Sequence, residues 1–525
     1  MHVTLGPIIG LVTIDSARIL LQISDSSKIT CILTHGNHKI KQTQFIATNQ
    51  PYVFQFKNLK QGILYNVTFT SNSNLNSNLN SNLNSNLNSN AIPLETIRSS
   101  FTTFYQGQDI NYGFVSCNKI CHTKNLPKSQ DMWSHLTGVD ILCHIGDQIY
   151  IDYELYLGNK NNAYSDSLNL LHCDELSMET KRIQIIERIK QEYIATWTHS
   201  PTARIMANTP NMMMFDDHDI IDGWGDDIKH WTEGTDEYII GSCARSVLEM
   251  YQIQLHHDIS RTSYQSHYFY NQSFEKTNLV FLDVRGCKTF YRDKSGTYLG
   301  RKQQDWIENT ICCDNSSTNH LILISPIPFI VLSSLFTNNS SFLFRDVIGI
   351  WNYDEYIDDL KKLILVLTKW KSSQNGRKIT LVGGDVHFGG FTNINFNGEH
   401  LMSQLITSPI SNTIVSSSKM TILNHFKGYH DNLGEIEYNH SNWYRHRNYG
   451  IVNSKGIHLI CIKPDGTIEI HNNQDNVNHT TPRIHGNVIN IFGINAIGLG
   501  TILFIILCLY QIRVSQRLLV KRNIK

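Results

Sequence analysis

The sequence predicts an α/β chain of three parts: a small β-sandwich, a larger domain in which strands and helices alternate in layers, and one C-terminal apolar helix. Three observations carry this reading. Residues 8–70 alternate apolar and polar positions in short runs, the period of half-buried strands. From about Gln108 onward, apolar runs of strand length alternate with stretches of helical spacing. Residues 488–510 contain no charged side chain. With 525 residues and 41% hydrophobic content, the chain has material for a large core and at least one further domain.

Taken in order, the opening residues lack a basic segment followed by a long apolar core, so they read as a first strand and not as a secretory leader. Residues 56–69 place a turn ahead of Leu64-Tyr65 in the manner of a fibronectin type III sandwich, and the sandwich is assigned to residues 1–106. Within it, residues 71–90 repeat Asn-Ser-Asn-Leu, too polar to bury a core, and read as a disordered insertion in a hairpin ahead of the last strand.

The layered domain, residues 107–472, holds every candidate for chemistry. Four apolar runs each end on a potential metal ligand: residues 112–116 on Cys117, residues 139–146 on Asp147 with Tyr150 just beyond, residues 211–215 on Asp216, Asp217, His218 and Asp219, and residues 381–384 on Asp385 and His387. Open sheets place their sites beyond the carboxyl ends of their strands, and strand alternation points Asp385 and His387 the same way. A chance Asp-x-His in a tight turn is the competing reading of that last segment. A further buried run, residues 278–282, leads to Asp283 and Arg285. Arg285 either clamps a phosphate through its planar fork or pairs structurally with Asp283. Helices are expected over 176–198, 242–256, 303–311 and 356–370, a strand over 320–325, and a closing hairpin over 459–470 around Asp465-Gly466.

These segments resemble the PhoD-like (alkaline phosphatase D) branch of the calcineurin-like metallophosphatases. Ser116-Cys117, Gly146-Asp147-Gln148-Ile149-Tyr150, residues 216–225, Leu282-Asp283-Val284-Arg285 and Gly384-Asp385-Val386-His387 occur in that family's order and approximate spacing. The resemblance implies a four-layer α/β/β/α catalytic sandwich behind an N-terminal β-sandwich. It also implies a dinuclear metal centre with Cys117, Tyr150, Asp385 and His387 as ligands and Asp147 as the bridge. Two cations would hold a phosphate ester and activate a water as hydroxide. A thiolate and a phenolate suit iron, and the second ion would be divalent, such as calcium, manganese or zinc. Asp222-Gly223 stands where bacterial members carry Asn, which leaves open whether Asp217, Asp222 or neither touches metal. His218, Asp217 and Arg285 are the catalytic candidates, His218 as a substrate-side acid or as an orienting group.

Composition narrows the alternatives. Lys plus Arg and Asp plus Glu both number 45, and no basic stripe with interleaved aromatics is present, so nucleic acid is not an expected partner. The 11 cysteines form no paired CxxC motif, which argues against a structural zinc ribbon and a disulfide scaffold. Residues 473–487 read as a linker and 488–510 as a transmembrane helix, followed by a basic tail over 511–525. The expected protein is thus a single-pass membrane-anchored phosphomonoesterase acting on a phosphate ester. A phosphodiesterase of phospholipase D type is the enzymatic rival, and a non-catalytic membrane-anchored binding protein the other alternative. The anchor leaves orientation open between a luminal or exterior catalytic domain and a tail-anchored, cytosolic one.

Overall fold

The computed structural model describes residues 2–71, 92–122, 126–153, 162–258, 268–289, 296–312, 317–332, 351, 356–427, 433–473, 490–491 and 494–495. Eight strands open the chain: β1 (His2–Val12), β2 (Ala17–Ile23), β3 (Ser27–His35), β4 (His38–Ile46), β5 (Tyr52–Phe56), β6 (Leu64–Ser71), β7 (Ile92–Pro93) and β8 (Ser99–Thr102). They form two sheets, ordered β5-β2-β1-β7 and β4-β3-β6-β8. Alternation decides which side is buried: Ile29, Cys31 and Leu33 of β3 point inward with Val67 and Phe69 of β6, against Ile9, Ile19 and Leu21 of the other sheet. The Asn-rich repeat lies between β6 and β8, which pair antiparallel, where the sequence placed it. Residues 72–91 themselves fall outside the described residues.

The outer face of the first sheet is also apolar. Leu5, Ile8, Leu20 and Val53 pack on the helices Met178–Trp197 and Asp236–Tyr251 of the second domain. Polar contacts fix the seam. The Tyr251 hydroxyl donates to Gln22 Oε1 at 2.6 Å, and Arg18 reaches the Gln254 carbonyl at 2.9 Å and Asp258 at 3.0 Å. At Gly10 the backbones touch so closely that a Cβ would sit 2.3 Å from the Leu255 carbonyl oxygen.

Two mixed sheets make the larger domain. One is β11-β10-β9-β19-β20-β21, built from β9 (Tyr112–Val115), β10 (Ile141–Ile145), β11 (Asn211–Met214), β19 (Arg447–Asn453), β20 (Gly456–Ile462) and β21 (Ile468–Asn472). The other is β12-β13-β14-β15-β17-β16-β18, from β12 (Tyr270–Phe274), β13 (Thr277–Phe281), β14 (His320–Ser325), β15 (Lys378–Gly383), β16 (Gly390–Phe396), β17 (Glu399–Ile406) and β18 (Ile436–His440). Phe114, Cys143, Ile145 and Met212 from the first sheet share a core with Phe281, Ile324, Val382 and Leu405 from the second. On the outer faces, Met213 and Phe215 lie under the two helices named above, while Val280, Leu321, Leu323 and Leu381 lie under the helix Ile357–Ser372. The order is helix, sheet, sheet, helix. Neighbours β9, β10 and β11 run parallel, as do β13, β14, β15 and β17, so their carboxyl ends all emerge on one edge.

Several expectations shift. The helix expected from residue 242 starts at Asp236, because the Thr235 side chain accepts from the Tyr238 N–H and caps the first turn. Helices Ala163–Leu171 and Ser417–Phe426, and strands β16 to β18, were not anticipated from the sequence. Among the described residues no helix is long and apolar enough to cross a membrane. The expected span over 488–510 lies mostly outside them. At its start the short strands Asn490–Ile491 and Ile494–Asn495 pair with each other, so those residues depart from the expected helix. Asn490, Gly493 and Asn495 are poor helix formers, which suits that departure.

Because the last strand of the sheets ends at Asn472, removal of residues 486–525 should leave the melting temperature of the remaining chain within about 2 °C of the full-length value. Calorimetry on both proteins checks this, and a much lower transition would make the C-terminal segment part of the core.

Candidate metal centre

The strand ends converge, and the backbone is strained where they do. Cys117, Asp147, Asp385 and His387 have φ of 55°, 54°, 58° and 60°, a left-handed region that non-glycine residues enter rarely and at a cost of about 1–3 kcal/mol each. Four of the eight non-glycine residues with positive φ among the described residues are thus the ligands expected from sequence. Each strand turns sharply at its last residue and so aims one side chain across the sheet edge. Gly146 makes the turn before Asp147 possible: its φ is 106°, and a Cβ there would stand 2.6 Å from the Asp216 Cβ.

Carboxylates dominate what is brought together. Oxygens of Asp147, Asp216, Asp217 and Asp385 all lie within 4.8 Å of one another, as do ligand atoms of Asp147, Asp217 and His218. Asp147 is buried; its Oδ2 accepts from the Tyr150 hydroxyl at 2.8 Å, while its Oδ1 has no hydrogen-bond partner. Burial raises the Asp147 carboxyl well above its ordinary pKa, and the neighbouring charges of Asp216, Asp217 and Asp219 push the same way against His218. The Cys117 thiol is buried and receives the Ser408 hydroxyl at 3.1 Å. Burial, then the charges of Asp147 and Asp385, hold it well above the ordinary thiol range. Tyr150 is raised likewise by burial, with Asp147 and Cys117 adding to it.

His218 is set by two partners. Its Nδ1 lies 2.9 Å from both oxygens of Asp152, and its ring packs against Tyr150 at 4.5 Å and Tyr153 at 5.2 Å between centroids. Asp152 in turn accepts from the Asp222 N–H at 2.7 Å. Asp217 accepts from the N–H of Gly223 at 2.8 Å and of His218 at 3.0 Å. Burial works to raise its pKa, but Arg285, His218 and those N–H groups outweigh it and hold the carboxyl below its usual value. For Asp216 burial wins over Arg285, and its pKa rises to about 6.

Comparison with the sequence reading is residue by residue. Cys117, Asp147, Tyr150, Asp217, His218, Asp385 and His387 meet at one sheet edge. Asp222 does not join the carboxylate cluster: it is exposed and serves Asp152 through its backbone. Asp216 takes the place in the cluster that Asp222 was offered, because the chain turns between them through a short helical turn, Asp217–Asp219. Arg285 is buried and pairs with Asp216 at 2.5 Å and Asp217 at 3.2 Å, while the Asp283 carboxylate takes the Arg285 N–H at 3.2 Å. The expected Asp283–Arg285 side-chain pair is therefore replaced. Two residues were missed, Ser408 and Asn412, delivered by the end of β17. The Asn412 amide stands 3.4 Å from His387 Nε2. The apolar run ending at Ile406 followed by Thr407-Ser408 was a signal of the same kind as the four recognised.

A family model described as PhoD-like phosphatase matches residues 112–458. The chain belongs to the PhoD-like phosphatase family. It is a phosphoric ester hydrolase, and its activity is metal-dependent. A solved structure entitled "Structure of PhoD" superposes with a TM-score of 0.61 at 13% identity, covering 90% of this chain and 89% of that one, and so shares the fold. The sensor domain of the anti-sigma factor RsgI4 in Pseudobacteroides cellulosolvens covers 19% of this chain and 96% of its own at 13% identity, with a TM-score of 0.14 that carries no argument. No curated protein matches the chain. The residues present fit the metals this family uses. An orphaned carboxylate oxygen amid three further carboxylates, beside a thiol and a phenol, is a donor set that cations would complete.

Gly146→Ala should destabilise this PhoD-like phosphatase by about 1–3 kcal/mol and reduce its metal content, since the new Cβ meets Asp216 and the left-handed backbone resists it. Denaturant unfolding with elemental analysis checks it; a variant as stable and as metal-rich as wild type contradicts the close approach.

Proposed function

We propose that this phosphatase hydrolyses phosphomonoesters at a dinuclear centre held by Cys117, Asp147, Tyr150, Asp216, Asp217, Asp385 and His387. The observation that carries the reading is the buried Asp147 Oδ1 without a partner, central to the carboxylate cluster. Its position between the two ligand groups suits a bridging carboxylate. Cys117 and Tyr150 offer a soft sulfur and a phenol that would suit iron, and the carboxylates would suit a harder divalent ion such as calcium, manganese or zinc.

When bound, such a pair of ions supplies a hydroxide equivalent at neutral pH and screens charge on the phosphoryl oxygens. The chain's own groups do the rest. Asp152 fixes the His218 ring, so the nitrogen left over is Nε2, available to a substrate or leaving-group oxygen. Tyr150 and Tyr153 pack against the ring and confine it. Asn412 orients His387, as partners of metal-holding residues do.

Purified full-length protein should carry about two metal ions per chain and lose turnover of p-nitrophenyl phosphate on chelation. Asp147→Asn should lower metal content and abolish turnover while leaving the fold intact, as the amide fills nearly the same volume. Activity that survives metal removal sinks the proposal. Faster turnover of bis-p-nitrophenyl phosphate than of the monoester would favour the diesterase reading instead.

A further inference from the structure

Behind the carboxylate cluster lies a row of alternating charge that the proposed reaction does not use. Arg285 sits at its centre, buried, with each guanidinium nitrogen turned to a different carboxylate. Nε meets Asp216 at 2.5 Å, Nη2 meets Asp217 at 3.2 Å and Nη1 faces Asp226 at 3.7 Å. Asp226 is shared further back with Lys288, which is fully buried, and the Lys288 ammonium lies 5.2 Å from the ring centroids of both Tyr298 and Tyr356. The backbone locks the arrangement: a Cβ on Gly225 would stand 2.7 Å from the Arg285 carbonyl oxygen. The Asp283 carboxylate holds the turn by accepting from the N–H groups of Arg285, Gly286 and Tyr268, at 3.2, 2.6 and 3.0 Å.

We infer that Arg285 is a positioning residue for the metal centre, backed by the Asp226–Lys288 pair, and not the phosphate clamp that its sequence context suggests. The inference rests on the metal reading of the cluster. A guanidinium that grips phosphate must present its fork to the substrate, and all three nitrogens here already face protein carboxylates. Its geometry does something else. Asp216 and Asp217 are consecutive residues whose like charges would part without a cation between them, and at low local dielectric that repulsion is large. The fork holds the two at a fixed separation toward Asp147 and Asp385. Lys288 keeps Asp226 from drawing Arg285 away from Asp217. Lysine at position 285 would keep the charge but could not span three carboxylates.

The test uses the full-length protein, stripped of metal and titrated with manganese(II) by calorimetry, followed by inhibition of the manganese-saturated enzyme by inorganic phosphate. Arg285→Lys should weaken manganese binding by about 10–100-fold, the loss typical when a partner of a metal ligand is removed. Its phosphate inhibition constant at saturating manganese should stay within about twofold of wild type. Should Arg285→Lys fail to fold, Lys288→Met, of similar volume and farther from the cluster, should weaken manganese binding several-fold with the same unchanged phosphate constant. Unchanged manganese affinity in whichever variant folds overturns the inference. So does a tenfold rise in the phosphate constant, the mark of a clamp. Wild-type protein that binds no manganese, iron, calcium or zinc would fail the metal reading itself, a result separate from both.

Discussion

Buried negative charge is the constraint on which the rest depends. Asp147, Asp216, Asp217, Asp226 and Asp385 occupy one region with two basic side chains among them, Arg285 and Lys288. An isolated carboxylate taken out of water costs several kcal/mol even after relaxation, and like charges a few ångströms apart add to that. A fold gains nothing in stability from such a cluster. It persists because the surrounding structure over-determines it, and bound cations would offset its charge.

That over-determination has a visible form. Four residues beyond the ends of three strands, β9, β10 and β15, are held in left-handed backbone, a combined strain of several kcal/mol. Ser116 donates to the Thr407 carbonyl at 2.9 Å and Ser408 to Cys117, stitching the first sheet to the end of β17 in the second. Asp219, offered by the sequence as a ligand, instead ties three segments: it accepts from Asp216, Gln148 and Gln252. Two sheets meeting at their carboxyl edges make a rigid frame in which strain at one residue cannot relax without moving a neighbour's ladder.

What the sequence disclosed follows from where its signals are local. An apolar run ending in Gly-Asp or Ser-Cys reports both a buried strand and its terminus, so Cys117, Asp147, Asp385 and His387 were legible, as was the hairpin around Asp465-Gly466. The Asn397-Gly398 pair is an equally local signal, with both residues at positive φ in the tight turn between β16 and β17. Other features are not local. Asp216 and Asp222 are six residues apart on a winding loop, and composition cannot say which carboxylate faces inward. Arg285 looked like a partner for Asp283, two residues away, yet its partners lie about 60 to 70 positions upstream. Tertiary proximity chose them. The apolar C-terminal segment was legible as composition alone.

Charge placement also orders events at the site. Arg285 and Lys288 face carboxylates, while the Lys119 ammonium lies 3.7 Å from the centroid of the Tyr153 ring that packs against His218. A phosphate ester approaching the bare site meets charge of its own sign, undiminished by solvent where the walls are apolar. Cations bound there would reverse that field, and they would favour the thiolate of Cys117, whose pKa burial and two carboxylates raise. On the proposed reading, metal would precede substrate: the protein would supply a cage of fixed negative groups, and the ions would confer its affinity for phosphate.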